Sequence, residues 1–483
     1  MHSHSIIGLL RSLNEIDLKE LNDFLCSPFF NKSEVLIKLF DIITKHAPDY
    51  SKPSLKKENI YKKLYPGKSY NEKTIRTRIA ELSGLIKMYF SERDFKRDSF
   101  TQKKSLIKEL RRTGNYEQAE KQIKDAFDYL EDIGKFDPAY FREKLEILSQ
   151  YSKLKIAMDL KPDSLRSAFP RGENILNSFL IEILNMGNDI FCWNFENKES
   201  AGFDFTGLFL RKFDFEGYLE TLQKNNYEHY PILAIYYYGY LSLINPGEEK
   251  YFYKLKELVF DNYKKISNEE LYNYWTSLSN SAFTNYLKSG VKFLNEGQEI
   301  NEFFIEKKLY DDTKHLSAMA YQNTIINALM VGKLDWAEKF ADDFKKSLTD
   351  EARDNRYNYC KAMIHFDRNN FNGSIEYLSK VKNIDWHFKI NVRVYYLRNY
   401  YELGYSEQVA SLIDSFRHYN SKNPEAIPEY LDDRVKNFLH YVTKLAAAKF
   451  SGKKLDGYIY EEAKQKNDFI HKDWVMKKME ELV

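Results

Sequence analysis

The sequence is short of structure breakers, with 19 glycines and 11 prolines in 483 residues. That scarcity speaks against an all-β fold, whose many tight turns consume both residue types, and favours long helices. Cysteine is rarer still. Cys26, Cys192 and Cys360 lie far apart, which excludes a disulfide framework and any CxxC metal spacing. Reduced, buried thiols are expected. No run of about eighteen apolar residues occurs, so no transmembrane helix is expected. The first residues, Met1-His2-Ser3-His4-Ser5-Ile6-Ile7-Gly8, lack the basic region and long apolar run of a signal peptide. A cytoplasmic protein follows by elimination. The net charge is only +2, which gives the whole chain no pull toward a polyanion.

Chemical signatures are also missing. The ten histidines, His2 and His4 among them, form no HExxH and no Cys/His zinc spacing. Ser451-Gly452-Lys453-Lys454 has neither the upstream glycine nor the preceding strand of a phosphate loop, and there is no GxSxG elbow. Adjacent acids occur at Asp311-Asp312, Asp342-Asp343 and Asp432-Asp433. Neighbours on a helix point about 100° apart, so they do not converge on one substrate atom. Solvated helix faces or termini are expected for all three, and at Asp311-Asp312 a cap of the following helix. The sequence nominates no catalytic residue, no metal ligand and no cofactor, and the expectation is a non-enzymatic protein.

What is present is a helical pattern. Hydrophobic residues at 43% and charged residues at 30% describe a folded chain rather than a disordered one. Its length calls for several domains or one long repeat array. Tyr (37) and Phe (34) are abundant, but they share A/T-rich codons with the frequent Lys, Asn and Ile, so they do not by themselves mark stacking platforms.

Residues 1–95 read as a separate helical domain. A helix from Asp17 to Cys26 carries Leu18, Leu21, Phe24 and Leu25 on one face and stops at Ser27-Pro28. Asn31 and Glu34 have capping-box spacing ahead of Val35, Leu36, Leu39, Phe40 and Ile43. A short helix, Lys56 to Tyr65, ends at Pro66-Gly67; Ser69 and Glu72 repeat the capping-box spacing. A long helix follows with Ile75, Ile79, Leu82, Ile86 and Tyr89 in one stripe. From Lys52 to Lys87 there are ten basic and three acidic residues, a net of +7, in a helix-turn-helix outline. Lys73, Arg76, Arg78 and Lys87 would project from the second helix toward nucleic-acid phosphates.

From residue 96 the pattern becomes paired helices. Four segments share a turn residue followed, five positions on, by a small one. They are Gly114 with Ala119, Gly332 with Ala337, Asn369 with Ser374, and Gly404 with Val409. Gly or Asn accepts the left-handed conformation that ends the first helix, and a small side chain lets the second helix come close. The turn residues Gly332, Asn369 and Gly404 follow one another at 37 and 35 residues. These residues resemble the tetratricopeptide repeat, whose period is about 34. Ser374 and Val409 stand where that family prefers alanine, and the aromatic-Leu-Gly signature of its first helix is largely missing, though Ala362 supplies a small residue. The resemblance covers 96–133 and 312–421. Residues 137–311 are helical but irregular, with hairpin-like pairs near Tyr227–Tyr263 and Asn268–Leu294, and capping signals at Asp137-Pro138 and at Ser267 with Glu270. The segment Phe24-Leu25-Cys26-Ser27-Pro28-Phe29-Phe30-Asn31-Lys32 is similar to the start of uncharacterised bacterial helical proteins, a likeness that implies no activity.

The expected fold is therefore all-α: an N-terminal helical domain over 1–95, then an α-solenoid of degenerate tetratricopeptide-like hairpins over 96–483. In such stacks the first helices line a concave surface. The resemblance implies that exposed Gln322, Asn323, Arg356, Tyr359, Met363, Asn391, Tyr395 and Arg398 face that groove and bind a peptide or protein segment. The expected role is a protein–protein interaction scaffold. The alternative is a nucleic-acid-binding regulator using the basic N-terminal helices, with the array as sensor.

Overall fold

A computed structural model describes residues 6–50, 55–159, 164–196, 203–309, 316–382, 386–422, 429–466 and 469–483. Among the described residues the regular structure is helical throughout, with no strand. None of these helices is long and apolar enough to cross a membrane. The chain divides into two compact units. One is Met1–Ile133 with Arg142–Ile175, and the other is Gly134–Phe141 with Leu176–Val483.

In the first unit, helices Ile6–Arg11, Glu15–Cys26, Glu34–Thr44, Lys57–Leu64 and Glu72–Arg97 enclose one core that includes Leu10, Leu21, Leu25, Leu39, Ile43 and Ile60. The expected stripe is present: Ile75, Leu82, Ile86 and Tyr89 are buried, and Ile79 packs beside them. Two caps differ from expectation. Helix Glu34–Thr44 starts at Ser33 without a side-chain cap. Asn31 is buried instead, donating to the Leu25 carbonyl at 2.8 Å and accepting from the Ser33 N–H at 2.9 Å. It thereby satisfies an acceptor left open where Pro28 ends the previous helix. Helix Glu72–Arg97 is capped by Asn71, not Ser69, through the Thr74 N–H. Cys26 and Cys192 are exposed and only Cys360 is buried, which corrects the expectation of three buried thiols. Cys26 is the last residue of its helix, where the proline break leaves the chain at the surface.

The first repeat-like pair, Ser99–Arg112 with Tyr116–Ile133, groups with this unit. Gly114 turns between its helices at φ +79°, and Ala119, Ile123 and Ala126 are buried.

The second unit carries a run of packed pairs: Tyr230–Ile244 with Glu249–Asn262, Asn268–Ser289 with Lys292–Glu306, Ala318–Met330 with Leu334–Asp343, Asp350–Asp367 with Phe371–Ser379, and Trp386–Leu403 with Ser406–Lys422. Each pair also packs on the next. The turns follow the sequence pattern. Gly332, Asn369 and Gly404 are all left-handed, at φ +76°, +58° and +78°. Ala337, Ser374 and Val409 are all buried at the close approach. Within one pair, the buried Tyr321 hydroxyl donates to the Ala341 carbonyl at 2.7 Å. Between two others, Asn399 Nδ2 donates to Ser374 Oγ at 2.9 Å.

Pairing is thus regular from Tyr230 onward, although the sequence there looks irregular. The reason is where the small residue sits. In the pair turned at Gly247 the position five residues on is Phe252, and the small residue Gly239 lies instead on the first helix, facing Tyr274 of the next pair. In the next pair it is Gly297, where a Cβ would stand 3.0 Å from Asn327 Oδ1 and 3.5 Å from Ala282 Cβ. Both expected caps in this stretch are present: Asp137 accepts from the Tyr140 N–H at 2.9 Å, and Ser267 from the Glu270 N–H at 3.4 Å. Asp342 and Asp343 diverge as neighbours on a helix must, Asp342 toward Tyr357 and Lys361, Asp343 toward Lys339. His2, His4, Lys52, Asp311, Asp312 and the side chain of Asp432 lie outside the described residues.

The buried alanines give a direct test. Ala119→Leu or Ala337→Leu should force the paired helices apart and cost about 1–3 kcal/mol, read as a lower denaturant midpoint at unchanged m-value. Wild-type midpoints in both variants would mean that close approach at the turn does not set the pairing.

Candidate docking face

The first helices of three successive pairs, Ala318–Met330, Asp350–Asp367 and Trp386–Leu403, lie beside one another. Their contacts are mostly aromatic and cationic. The Arg356 guanidinium stacks over Phe388 at 4.2 Å and donates to Gln322 Oε1, so one side chain touches all three helices. Tyr359 packs edge-on against Phe388 at 4.9 Å and Tyr395 at 5.5 Å. The second helices and the turns beside them are joined differently, by ion pairs from one pair to the next. Lys256 meets Glu296 and Glu299 at 2.5 and 2.6 Å, Lys333 meets Glu302 at 2.5 Å, and Arg368 meets Asp335 at 2.6 Å.

The structure separates the residues that the sequence grouped as groove-facing. Asn323 and Asn391 are exposed and Arg356 is partly so. Gln322, Tyr359, Met363, Tyr395 and Arg398 are buried, which corrects the expectation that they are displayed. Gln322, Tyr359 and Met363 are consumed by packing between pairs. Tyr395 and Arg398 are covered by an element that the sequence pattern does not foreshadow, the chain's own helix Lys472–Glu480.

That cover is specific. Arg398 stacks over Phe366 at 4.1 Å, Tyr395 at 4.7 Å and Trp474 at 5.3 Å. Its Nη1 donates to His471 Nδ1 at 3.2 Å. Burial first, and then the Arg398 charge, push the His471 imidazole well below its usual pKa. It is therefore neutral and able to accept that hydrogen bond. Glu402, one turn beyond Arg398, accepts from the Trp474 indole N–H at 2.7 Å and pairs with Lys478 at 3.0 Å. Positions 391, 395, 398 and 402 share a helix face by their three- and four-residue spacing. The row thus runs from open at Met319 and Asn323, through half-covered Arg356, to closed at Tyr395 and Arg398.

In the N-terminal unit, Lys73, Arg76 and Lys87 are exposed and Arg78 is partly covered. Arg76 pairs with Glu72 at 2.7 Å and Arg78 with Glu81 at 2.7 Å, so both guanidiniums already have carboxylate partners. The helices Lys57–Leu64 and Glu72–Arg97 are joined through residues 65–71, longer than the usual three- or four-residue turn.

One cluster was invisible in the sequence because its members come from three helices and the residue before a fourth. The Glu270 side chain bonds to Tyr236, itself edge-on to Tyr274 at 5.9 Å, with the Asp137, Glu182 and Glu269 carboxylates near enough to act on its charge. Burial first, and then those carboxylates, push Glu270 up to about 7 against the Tyr236 hydrogen bond. The only sequence signal was its spacing from Ser267, which reads equally well as a local cap. The cluster brings carboxylates and phenols together, all acidic groups.

No protein family, curated protein or solved structure matches the chain.

Glu270 carries a pH signature. Its folded pKa lies above the ordinary 4.5, so between about 4.5 and 7 the folded chain holds a proton that the unfolded chain has released. Stability from this site is greatest at low pH and is lost as pH rises through that window. Glu270→Gln, always uncharged, should match wild type near pH 4.5 and exceed it near pH 8 by on the order of 1–2 kcal/mol in urea unfolding. A variant less stable than wild type near pH 8 would show that the buried charge is compensated by its partners and does not destabilise the fold.

Proposed function

We propose that the chain is a non-enzymatic protein-interaction scaffold, a degenerate tetratricopeptide-like array whose first-helix row receives a segment of a partner protein. The observation that carries this reading is that the row already holds one helix. Lys472–Glu480 is held there by an indole, an ammonium and a guanidinium stack, at Glu402 and Arg398. These are the anchor types that dominate binding energy at protein interfaces. A face that holds one such helix at its closed end has the chemistry to hold another at its open end. There Met319 and Asn323 stand clear, and Arg356 bridges the helices.

Site-specific photocrosslinking tests the location. A photoreactive residue at Asn323 should capture partner protein in native lysate, and one at the exposed Lys339 on helix Leu334–Asp343 should not. Met319→Asp should lower the Asn323 yield by about tenfold. Equal capture at both positions, unaffected by Met319→Asp, would remove the row as the docking face.

A second reading rests on the exposed lysines Lys62, Lys63, Lys68, Lys73 and Lys87 within the basic segment. On this reading, the helices on either side of Pro66-Gly67 make phosphate contacts with nucleic acid. Affinity of the full chain for duplex DNA should then fall linearly on a log–log plot against salt. Lys73→Glu with Lys87→Glu should reduce the slope by about 2. Absent or salt-insensitive binding ends this reading.

A further inference from the structure

The first unit has a cleft of its own. It lies between helix Ser99–Arg112 and the part of helix Pro138–Ala157 that follows Phe141. Its volume is about 420 Å³, at the small end of ligand clefts. Lys104, Ser105 and Lys108 line one wall, and Glu143, Glu146 and Gln150 the other. Lys104 joins the walls by pairing with Glu143 at 2.7 Å. Helix Tyr116–Ile133 holds the second wall from behind, Glu131 with Lys144 at 2.8 Å and Glu120 with Lys155 at 2.5 Å. One wall residue is left incomplete. Gln150 is 5% exposed. Its Nε2 donates to Glu146 Oε1 at 2.8 Å, which fixes the other end of the amide as oxygen, since the reverse would set oxygen on oxygen. That Oε1 is buried and accepts from no donor among the described residues. A buried acceptor without a donor is uncommon and costly in a folded chain.

We infer that this cleft binds an extended segment of a partner protein with acidic residues at alternate positions. Three observations converge on that occupant. The first is charge. From Asp98 to Arg112 and from Arg142 to Lys153 there are eight basic and four acidic residues, a net of +4. All four carboxylates are engaged within the unit. Asp98 accepts from the Thr101 N–H and hydroxyl, Glu109 pairs with Arg112, Glu143 with Lys104, and Glu146 accepts from Gln150. On the basic side, the exposed Lys108 and the partly exposed Arg111 have no carboxylate partner among the described residues. The second is spacing. Lys104, Lys108 and Arg111 recur at four- and three-residue steps, so Lys108 and Arg111 stand about 5–6 Å apart along one face. Alternate side chains of an extended segment share a side and lie about 6–7 Å apart, which matches that interval. The third is hydrogen bonding. An extended main chain carries N–H groups that it does not satisfy itself. One of them supplies the donor that Gln150 Oε1 lacks.

The same wall argues against other occupants. A helical segment spends its N–H groups internally after the first turn and has none to offer Gln150. A basic segment would meet Lys108 and Arg111 with like charge. Single-stranded nucleic acid is held by bases stacked on aromatic rings, and none of the described residues lining the cleft is aromatic. Its phosphates, which only accept, would also face the Gln150 oxygen and the Glu146 carboxylate, acceptor on acceptor.

The test uses the full chain and two short labelled peptides. One alternates glutamate with serine, and its twin has glutamine for each glutamate. In fluorescence anisotropy the glutamate peptide should bind at least about tenfold tighter than its twin, and its affinity should weaken with salt. Lys108→Gln with Arg111→Gln should lower that affinity by about tenfold. Lys73→Gln with Lys87→Gln, in the basic N-terminal segment, should leave it unchanged. Gln150→Leu should weaken the glutamate peptide by about fivefold. Its thermal melt should stay at or above that of wild type, because the orphan acceptor is gone. Equal binding of both peptides, or wild-type affinity in the Lys108 and Arg111 variant, would overturn the inference. So would a single-stranded DNA oligonucleotide that binds more tightly than the glutamate peptide and loses its affinity with the same two substitutions, since that gives the cleft to nucleic acid.

Discussion

Each helical pair in this chain depends on how closely its two helices approach. Apolar burial stabilises a pair by roughly 25 cal/mol per Å² removed from water, and that area is gained only if the backbones come close enough for side chains to interlock. The close approach is set locally. A left-handed turn residue reverses the chain, and a small side chain just beyond it removes the steric obstacle. Gly114, Gly332, Asn369 and Gly404 do the first, and Ala119, Ala337 and Ser374 the second. Once each pair closes, its outer surfaces are the substrate for the next, so stability accumulates pair by pair rather than through one central core.

That locality explains what could be read in advance. The all-helical fold, the stripe from Ile75 to Tyr89 and the four repeat-like turns are visible because each depends on residues a few positions apart. The pairs around Gly247 and Gly290 were harder, because Phe252 and Asn295 stand five residues beyond those turns and the small residues Gly239 and Gly297 lie elsewhere, against the next pair. Caps slipped where two candidates stood within two residues. Asn71 won over Ser69, and Asn31 left the cap to hold the turn behind it. The first-helix row was only half legible. The spacing placed Asn391, Tyr395 and Arg398 on one face, but the helix that covers two of them begins 74 residues after Arg398. Nothing local in the sequence announces such a contact. Glu270 and its tyrosines are hidden for the same reason.

The two sides of the array are held by different physics. Around the second helices, bridges such as Lys256 to Glu296 and Lys333 to Glu302 link successive pairs. The more exposed of them, Lys333 to Glu302, contributes little net stability; such bridges favour one register over its neighbours. The Glu338 carboxylate is the most committed of them. Shared between Lys361 and Arg368, it is held below its usual pKa by those cations, the Lys361 hydrogen bond first. Along the first helices the links are stacked rings and guanidiniums, which tolerate exchange of one flat partner for another.

The cover over Tyr395 and Arg398 also has a timing. His471 is 73 residues beyond Arg398. At about 5–20 residues per second, the ribosome delivers it about 4–15 s later. During that interval the nascent chain can already form the pair Trp386–Leu403 with Ser406–Lys422, while the helix that pairs with Glu402 and covers Arg398 is still unmade. Each newly synthesised copy would therefore pass an interval in which Arg398 and Glu402 lack the contacts that His471, Trp474 and Lys478 give them.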